Sequence, residues 1–89
     1  MDIYMKSFNY TIKDPLGIHA RPAGMLVKAV KNTDSNVTIE KDGKAVAADR
    51  LLSVMGLGVR CGDLITVTIN GGDEVTAYET IKAFLETNL

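Results

Sequence analysis

Between Leu64 and Asn70 the chain reads Leu-Ile-Thr-Val-Thr-Ile-Asn, so that Ile65, Val67 and Ile69 alternate with Thr66 and Thr68. β-Branched residues at a period of two specify a strand with one apolar face and one face that can stay wet. A strand of this kind belongs to an antiparallel sheet that needs cover on one side only. Phe8, Tyr10 and Ile12 repeat the pattern against Ser7, Asn9 and Thr11, which predicts a first strand over 6–12 before Asp14-Pro15 and Gly17 break it. Asn36–Glu40 is a further alternating strand, and Asp42-Gly43 carries the signal of a tight hairpin into a short strand over 44–47.

The cover is also readable. After Pro22, the residues Ala23, Leu26, Val27 and Val30 follow the i, i+3, i+4, i+7 rule with Lys28 and Lys31 on another face, predicting an amphipathic helix over 20–31. Asp49 is the expected N-cap of a short helix over 50–56, with Gly56 and Gly58 placed to end it. Gly71-Gly72 forms a turn. From Asp73 the period becomes helical again: Asp73 and Glu74 suit the positive end of the helix dipole, and Ala77, Ile81, Phe84 and Leu85 form an apolar stripe. The predicted order is βαββαβα. This is an α+β open-faced β-sandwich in which a four-stranded, mainly antiparallel sheet is covered on one face by helices.

Composition narrows the function. Eighty-nine residues make about one small domain, which excludes a multi-domain enzyme. With 46% hydrophobic and 24% charged residues, a soluble folded chain is expected, and a net charge of −1 gives no electrostatic argument for nucleic acid. The strand motif of RNA-binding modules with a similar split βαβ core is absent as well. One cysteine, Cys61, and one histidine, His19, neither form a disulfide nor close a tetrahedral metal site. Cys61 is assigned no role, since no third residue is evident to orient a base beside it. No cofactor is called for. Gly56-Leu57-Gly58 lacks the lysine and hydroxyl residue of a nucleotide-binding loop, so ATP is not an expected substrate. The N-terminal residues do not resemble a signal peptide, and no apolar run is long enough to cross a bilayer; cytoplasmic residence, with no membrane insertion, is the expectation.

The chemistry concentrates in Gly17-Ile18-His19-Ala20-Arg21-Pro22-Ala23. Its histidine stands at a predicted helix start, beside the unpaired backbone N–H groups of Ala20 and Arg21, where donors and dipole together favour an anion. Pro22 lacks an N–H, which costs nothing in a first turn. Arg21 adds a permanent cation whose donors match phosphate oxygens. A helix terminus contributes about 0.3–1 kcal/mol and a charge-assisted hydrogen bond about 1.5–3 kcal/mol, so the arginine is the larger effect. The segment suits a phosphoryl group carried on the imidazole itself, with neutral His19 as nucleophile.

These seven residues closely resemble the active-site signature of the HPr family, the histidine-containing phosphocarriers of the bacterial phosphoenolpyruvate-dependent sugar phosphotransferase system. The likeness extends from about residue 5 to 89, through the Asp42-Gly43-Lys44 hairpin, the Val54-Met55-Gly56-Leu57-Gly58 stretch and the Gly71-Gly72-Asp73-Glu74 turn. It implies a single HPr-like domain over 1–89, with residues 1–4 as an N-terminal extension. It also implies that His19 accepts a phosphoryl group on Nδ1 from phosphorylated enzyme I and hands it to enzyme IIA, with Arg21 stabilising the phosphate. Leu51, Leu52 and Met55 are then a docking patch for both partners, rimmed by Arg50 and Arg21; the residues alone leave open that the three are simply core. The chain is expected to be a monomer that transfers phosphoryl groups without being an independent enzyme.

Three departures stand out, one of them the stretch over residues 1–4 ahead of the family's usual start. Arg50 occupies the place where many Gram-positive members carry a serine phosphorylated by a dedicated kinase, and Ser53 stands where the family usually has glycine. Leu16 replaces a small polar residue three before the histidine. Loss of the serine leaves a second reading open, an HPr-like regulatory binding module whose partner contacts are tuned by phosphorylation of His19.

Overall fold

The computed structural model describes residues 5–89; the expected extension over residues 1–4 lies outside them. Seven elements follow in order: β1 (Met5–Thr11), α1 (Ala20–Lys31), β2 (Asn36–Lys41), β3 (Lys44–Ala47), α2 (Leu51–Gly56), β4 (Leu64–Asn70) and α3 (Glu74–Asn88). The strands form one sheet in the order β1-β4-β2-β3, and every pairing is antiparallel.

The position of β4 follows from its composition. Its Ile65, Val67 and Ile69 are fully buried, and the strand is flanked by β1, with Phe8 opposite Val67, and by β2, with Ile39 opposite Val67. Burying each such side chain contributes about 1.5–3 kcal/mol, so the most regular apolar alternation takes a central place. The other face carries Ser7, Asn9 and Thr11 in the open and Thr66 and Thr68 half-buried, with Thr66 donating to the Asn9 side chain at 2.8 Å. At the β2–β3 hairpin Asp42 and Gly43 have φ of 52° and 83°, the pair of positive values that a two-residue I′ turn demands.

The helices cover the apolar face. Ala23, Leu26 and Val30 of α1 meet Ala77, Ile81 and Leu85 of α3 in one core with the sheet. Tyr10 donates its hydroxyl to the Leu85 carbonyl at 3.0 Å, and Phe8 meets the Tyr78 ring edge-on at 5.0 Å, which joins β1 to α3. Asp73 caps α3, accepting from the Thr76 amide at 3.1 Å and the Thr76 hydroxyl at 2.7 Å. Those two bonds hold its carboxyl below the usual carboxylate range.

The start of α2 differs from the expectation. Its N-cap is Arg50, without a side-chain capping bond, and not Asp49. Ala48 is still bonded to the Val37 carbonyl, and the Arg50 amide closes a turn onto Ala47 at 3.3 Å. The chain therefore leaves the sheet too late for Asp49 to face the helix amides. At the other end Leu57 is the C-cap, and Gly58, at φ 64°, turns the chain away.

Candidate functional site

His19 is the N-cap of α1, extended at φ −104° and ψ 178°, and its side chain makes no capping bond. The first intrahelical acceptor is the His19 carbonyl, which takes the Ala23 amide at 2.9 Å. Among the described residues the amides of Ala20 and Arg21 donate to no protein acceptor, as the first turn of a helix dictates. No acidic residue lies in this turn to occupy them. Pro22 and Ala23 are buried and pin the turn to the core, whereas Arg21 is exposed and forms no ion pair among the described residues. The imidazole is 36% exposed: it is reachable from solvent and still held against the protein.

The loop before the helix is seated from below. The Ile18 amide donates to the Val59 carbonyl at 3.1 Å, and Ile18 itself is buried. Gly17, at φ 68°, packs directly on this backbone; a Cβ there would overlap the Val59 carbonyl and lie 2.7 Å from the Arg60 Cα. The supporting segment is itself clasped. Lys41 pairs with Asp63 at 3.0 Å and donates to the Gly58 carbonyl at 3.0 Å, and Asp63 accepts the Arg60 amide at 2.8 Å. The amide first and the ammonium second hold the Asp63 carboxyl below its usual range. From the other side, the Leu89 carbonyl accepts the amides of Lys13 at 2.6 Å and Asp14 at 2.9 Å.

Asp14 was not singled out by sequence reasoning. Its Oδ1 accepts the Leu16 amide at 2.8 Å, its carbonyl accepts the Gly17 amide at 2.9 Å, and its Oδ2 lies 3.5 Å from His19 Nε2. The available signal was the Asp-x-x-Gly spacing of an Asx turn, which in the sequence reads only as a strand breaker.

The short helix resolves the alternative left open for its apolar residues. Val54 is fully buried and anchors α2, while Leu51, Leu52 and Met55 are 40%, 84% and 38% exposed. They form an apolar surface and not core. Because α2 packs on α1 and the Val59 that follows it carries Ile18, the patch is rigidly tied to the His19 loop. Leu16, 72% exposed, adds apolar surface to that loop. Arg50 is not gathered with Arg21. It lines a cavity with Val30, Lys31 and Thr33 at the far end of α1, about 1.5 Å per residue along a helix that begins at Ala20. Ser53 is half-buried on α2. Cys61 Sγ faces the Lys13 carbonyl at 3.6 Å, and among the described residues no group of three His, Cys, Asp or Glu side chains could hold a metal. Among the described residues no helix is long and apolar enough to cross a membrane.

A four-stranded antiparallel sheet under three helices, with a solvent-reachable histidine at the N-cap position of the first, defines the class of α+β open-faced sandwiches with an anion-ready helix terminus. The family described as the phosphotransferase system HPr component phosphorylation site matches residues 6–87, and the chain belongs to it. The phosphocarrier protein HPr of Mycoplasma genitalium is 40% identical over 85 residues, covering 94% of this chain and 97% of that one. Among solved structures, HPr-C-His of Thermoanaerobacter tengcongensis is 33% identical with a TM-score of 0.88 and 92% of each chain covered. An HPr dimer of the same organism is 33% identical with a TM-score of 0.74, covering 88% of this chain and 90% of that one.

Proposed function

We propose that this chain is a phosphocarrier in which His19 takes a phosphoryl group from phosphorylated enzyme I and delivers it to enzyme IIA of the sugar phosphotransferase system. The observation that carries the reading is the N-terminus of α1, where a 36% exposed imidazole stands beside the amides of Ala20 and Arg21 and the Arg21 guanidinium, none of which has a protein partner among the described residues. These donors offset the charge of an arriving phosphoryl group, and no carboxylate in the first turn competes for them. The site is shallow and its contributions are modest, which suits a group that must leave again. Leu51, Leu52 and Met55 supply an exposed docking surface for both partners, in which an adaptable methionine serves more than one complement. A monomer leaves this surface and His19 open together.

The test is incubation with enzyme I and phosphoenolpyruvate, followed by transfer to a panel of enzyme IIA proteins. One acid-labile, alkali-stable phosphoryl group per chain is expected, and none on the H19A variant. Labelling of that variant rejects His19 as the acceptor, and failure of every enzyme IIA to receive the group rejects the carrier role.

A further inference from the structure

Among the described residues, the carboxylate of Asp14 is the one charged group paired with the His19 ring. Its position is set by backbone hydrogen bonds on three sides: the Asp14 amide to Leu89, its carbonyl from Gly17, and its Oδ1 from the Leu16 amide. With Oδ1 engaged at 2.8 Å, it is Oδ2 that faces Nε2, at 3.5 Å. Hydrogen bonds of a resting catalytic site are often long and tighten in the reacting complex. A carboxylate only accepts hydrogen bonds, so the ring nitrogen facing it carries the proton, and in a neutral imidazole the other nitrogen then holds the free lone pair.

We propose that Asp14 is a positioning residue that holds the proton of His19 on Nε2 and thereby leaves Nδ1 as the nucleophile. The inference rests on the reading of His19 as phosphoryl acceptor and goes beyond it in assigning the residue that selects the reacting nitrogen. In the step itself, the Nδ1 lone pair forms a bond to phosphorus of a phosphohistidine donor on a protein partner. The donor's nitrogen–phosphorus bond breaks, and its electron pair stays on the donor nitrogen. Nε2 keeps its proton throughout, so the ring gains positive charge as the phosphoryl group arrives, and the Asp14 carboxylate opposes that charge from the far side. Delivery to the next acceptor runs the same sequence in reverse.

The D14N variant separates this role from loop architecture. Its carbonyl oxygen can retain the Leu16 amide bond, which puts the side-chain NH₂, a donor, where Oδ2 stood. A donor facing Nε2 favours the opposite tautomer, with the proton on Nδ1 and the nucleophilic lone pair withdrawn. Nitrogen-15 NMR of the His19 ring in alkaline buffer, where imidazoles are neutral, reads the tautomer directly in the full chain without any partner. The expected result is predominance of the Nε2-protonated form in the wild type and a shift toward the Nδ1-protonated form in D14N. Phosphoryl acceptance from enzyme I should fall at least tenfold, while the Leu16 amide resonance stays in place. D14A, which removes the carboxylate without supplying a donor, should fall between the two. An unchanged tautomer ratio in D14N overturns the proposal, as does a shifted ratio with an undiminished rate. Should the wild type accept no phosphoryl group, the carrier reading fails, and the tautomer comparison still decides what Asp14 does to the ring.

Discussion

Replacing Gly17 by alanine tests whether the His19 loop is held by its seat on the backbone after α2. Two costs are separable. The left-handed conformation at φ 68° disfavours any residue with a Cβ by about 1–2 kcal/mol. The new methyl would also overlap the Val59 carbonyl and come within 2.7 Å of the Arg60 Cα, an overpacking cost of about 1–3 kcal/mol because both obstacles are backbone. The sum is about 2–5 kcal/mol. Gly58 supplies the control: its φ is 64°, and a Cβ there meets nothing within 4 Å, so G58A carries only the conformational part, about 1–2 kcal/mol. Gly24, inside α1 with open space around it, sets the opposite sign, and G24A should stabilise the protein by about 0.5–1 kcal/mol. Urea unfolding of the three variants, with slopes equal to the wild type, measures the series. G17A should also slow phosphoryl transfer, since the loop relieves its overlap by carrying His19, two residues on, away from the helix axis. Equal losses for G17A and G58A would refute the seat.

R21A should slow phosphoryl transfer by roughly ten- to hundred-fold, the equivalent of about 1.5–3 kcal/mol for a charge-assisted bond, and L16A much less; equal effects in a transfer assay count against the electrostatic account. L52A should change stability by less than about 0.5 kcal/mol yet weaken binding to enzyme I, because this side chain is 84% exposed. V54A, at a fully buried position, should cost about 2–3 kcal/mol by denaturation for two lost methyl groups and the cavity they leave. The folded-state pKa of Asp73 is lowered from 3.8, so its contribution to stability is fully present above about that value and disappears as pH falls through the lower folded one. Acid titration should accordingly find D73A less stable than the wild type at neutral pH and the gap closing below pH 4, and a constant gap would contradict the capping role.

What the sequence determined by itself is local. The alternation of Ile65, Val67 and Ile69 marked β4, the stripe of Ala23, Leu26, Val27 and Val30 marked α1, and Asp42-Gly43 marked the hairpin. Periods of two and 3.6 are imposed by backbone geometry within each segment, so these features needed no knowledge of neighbours. The placing of His19, Arg21 and Pro22 at a helix start was legible for the same reason. Only the tertiary structure decided the strand order that centres β4, the seating of Gly17 on Val59, and the Leu89 carbonyl beneath Lys13 and Asp14. It also decided that Leu51, Leu52 and Met55 face solvent while Val54 does not, since all four are apolar within one six-residue helix and burial depends on what packs against it. Arg50 displaced Asp49 as the cap because a hydrogen bond to the sheet held the chain one residue longer. Asp14 and His19 are five residues apart, yet their pairing depended on a loop folded back by hydrogen bonds from the Asp14, Leu16 and Gly17 amides. The spacing of Asp14 and Gly17 marks a turn, and the path of the chain through space decides what that turn brings together.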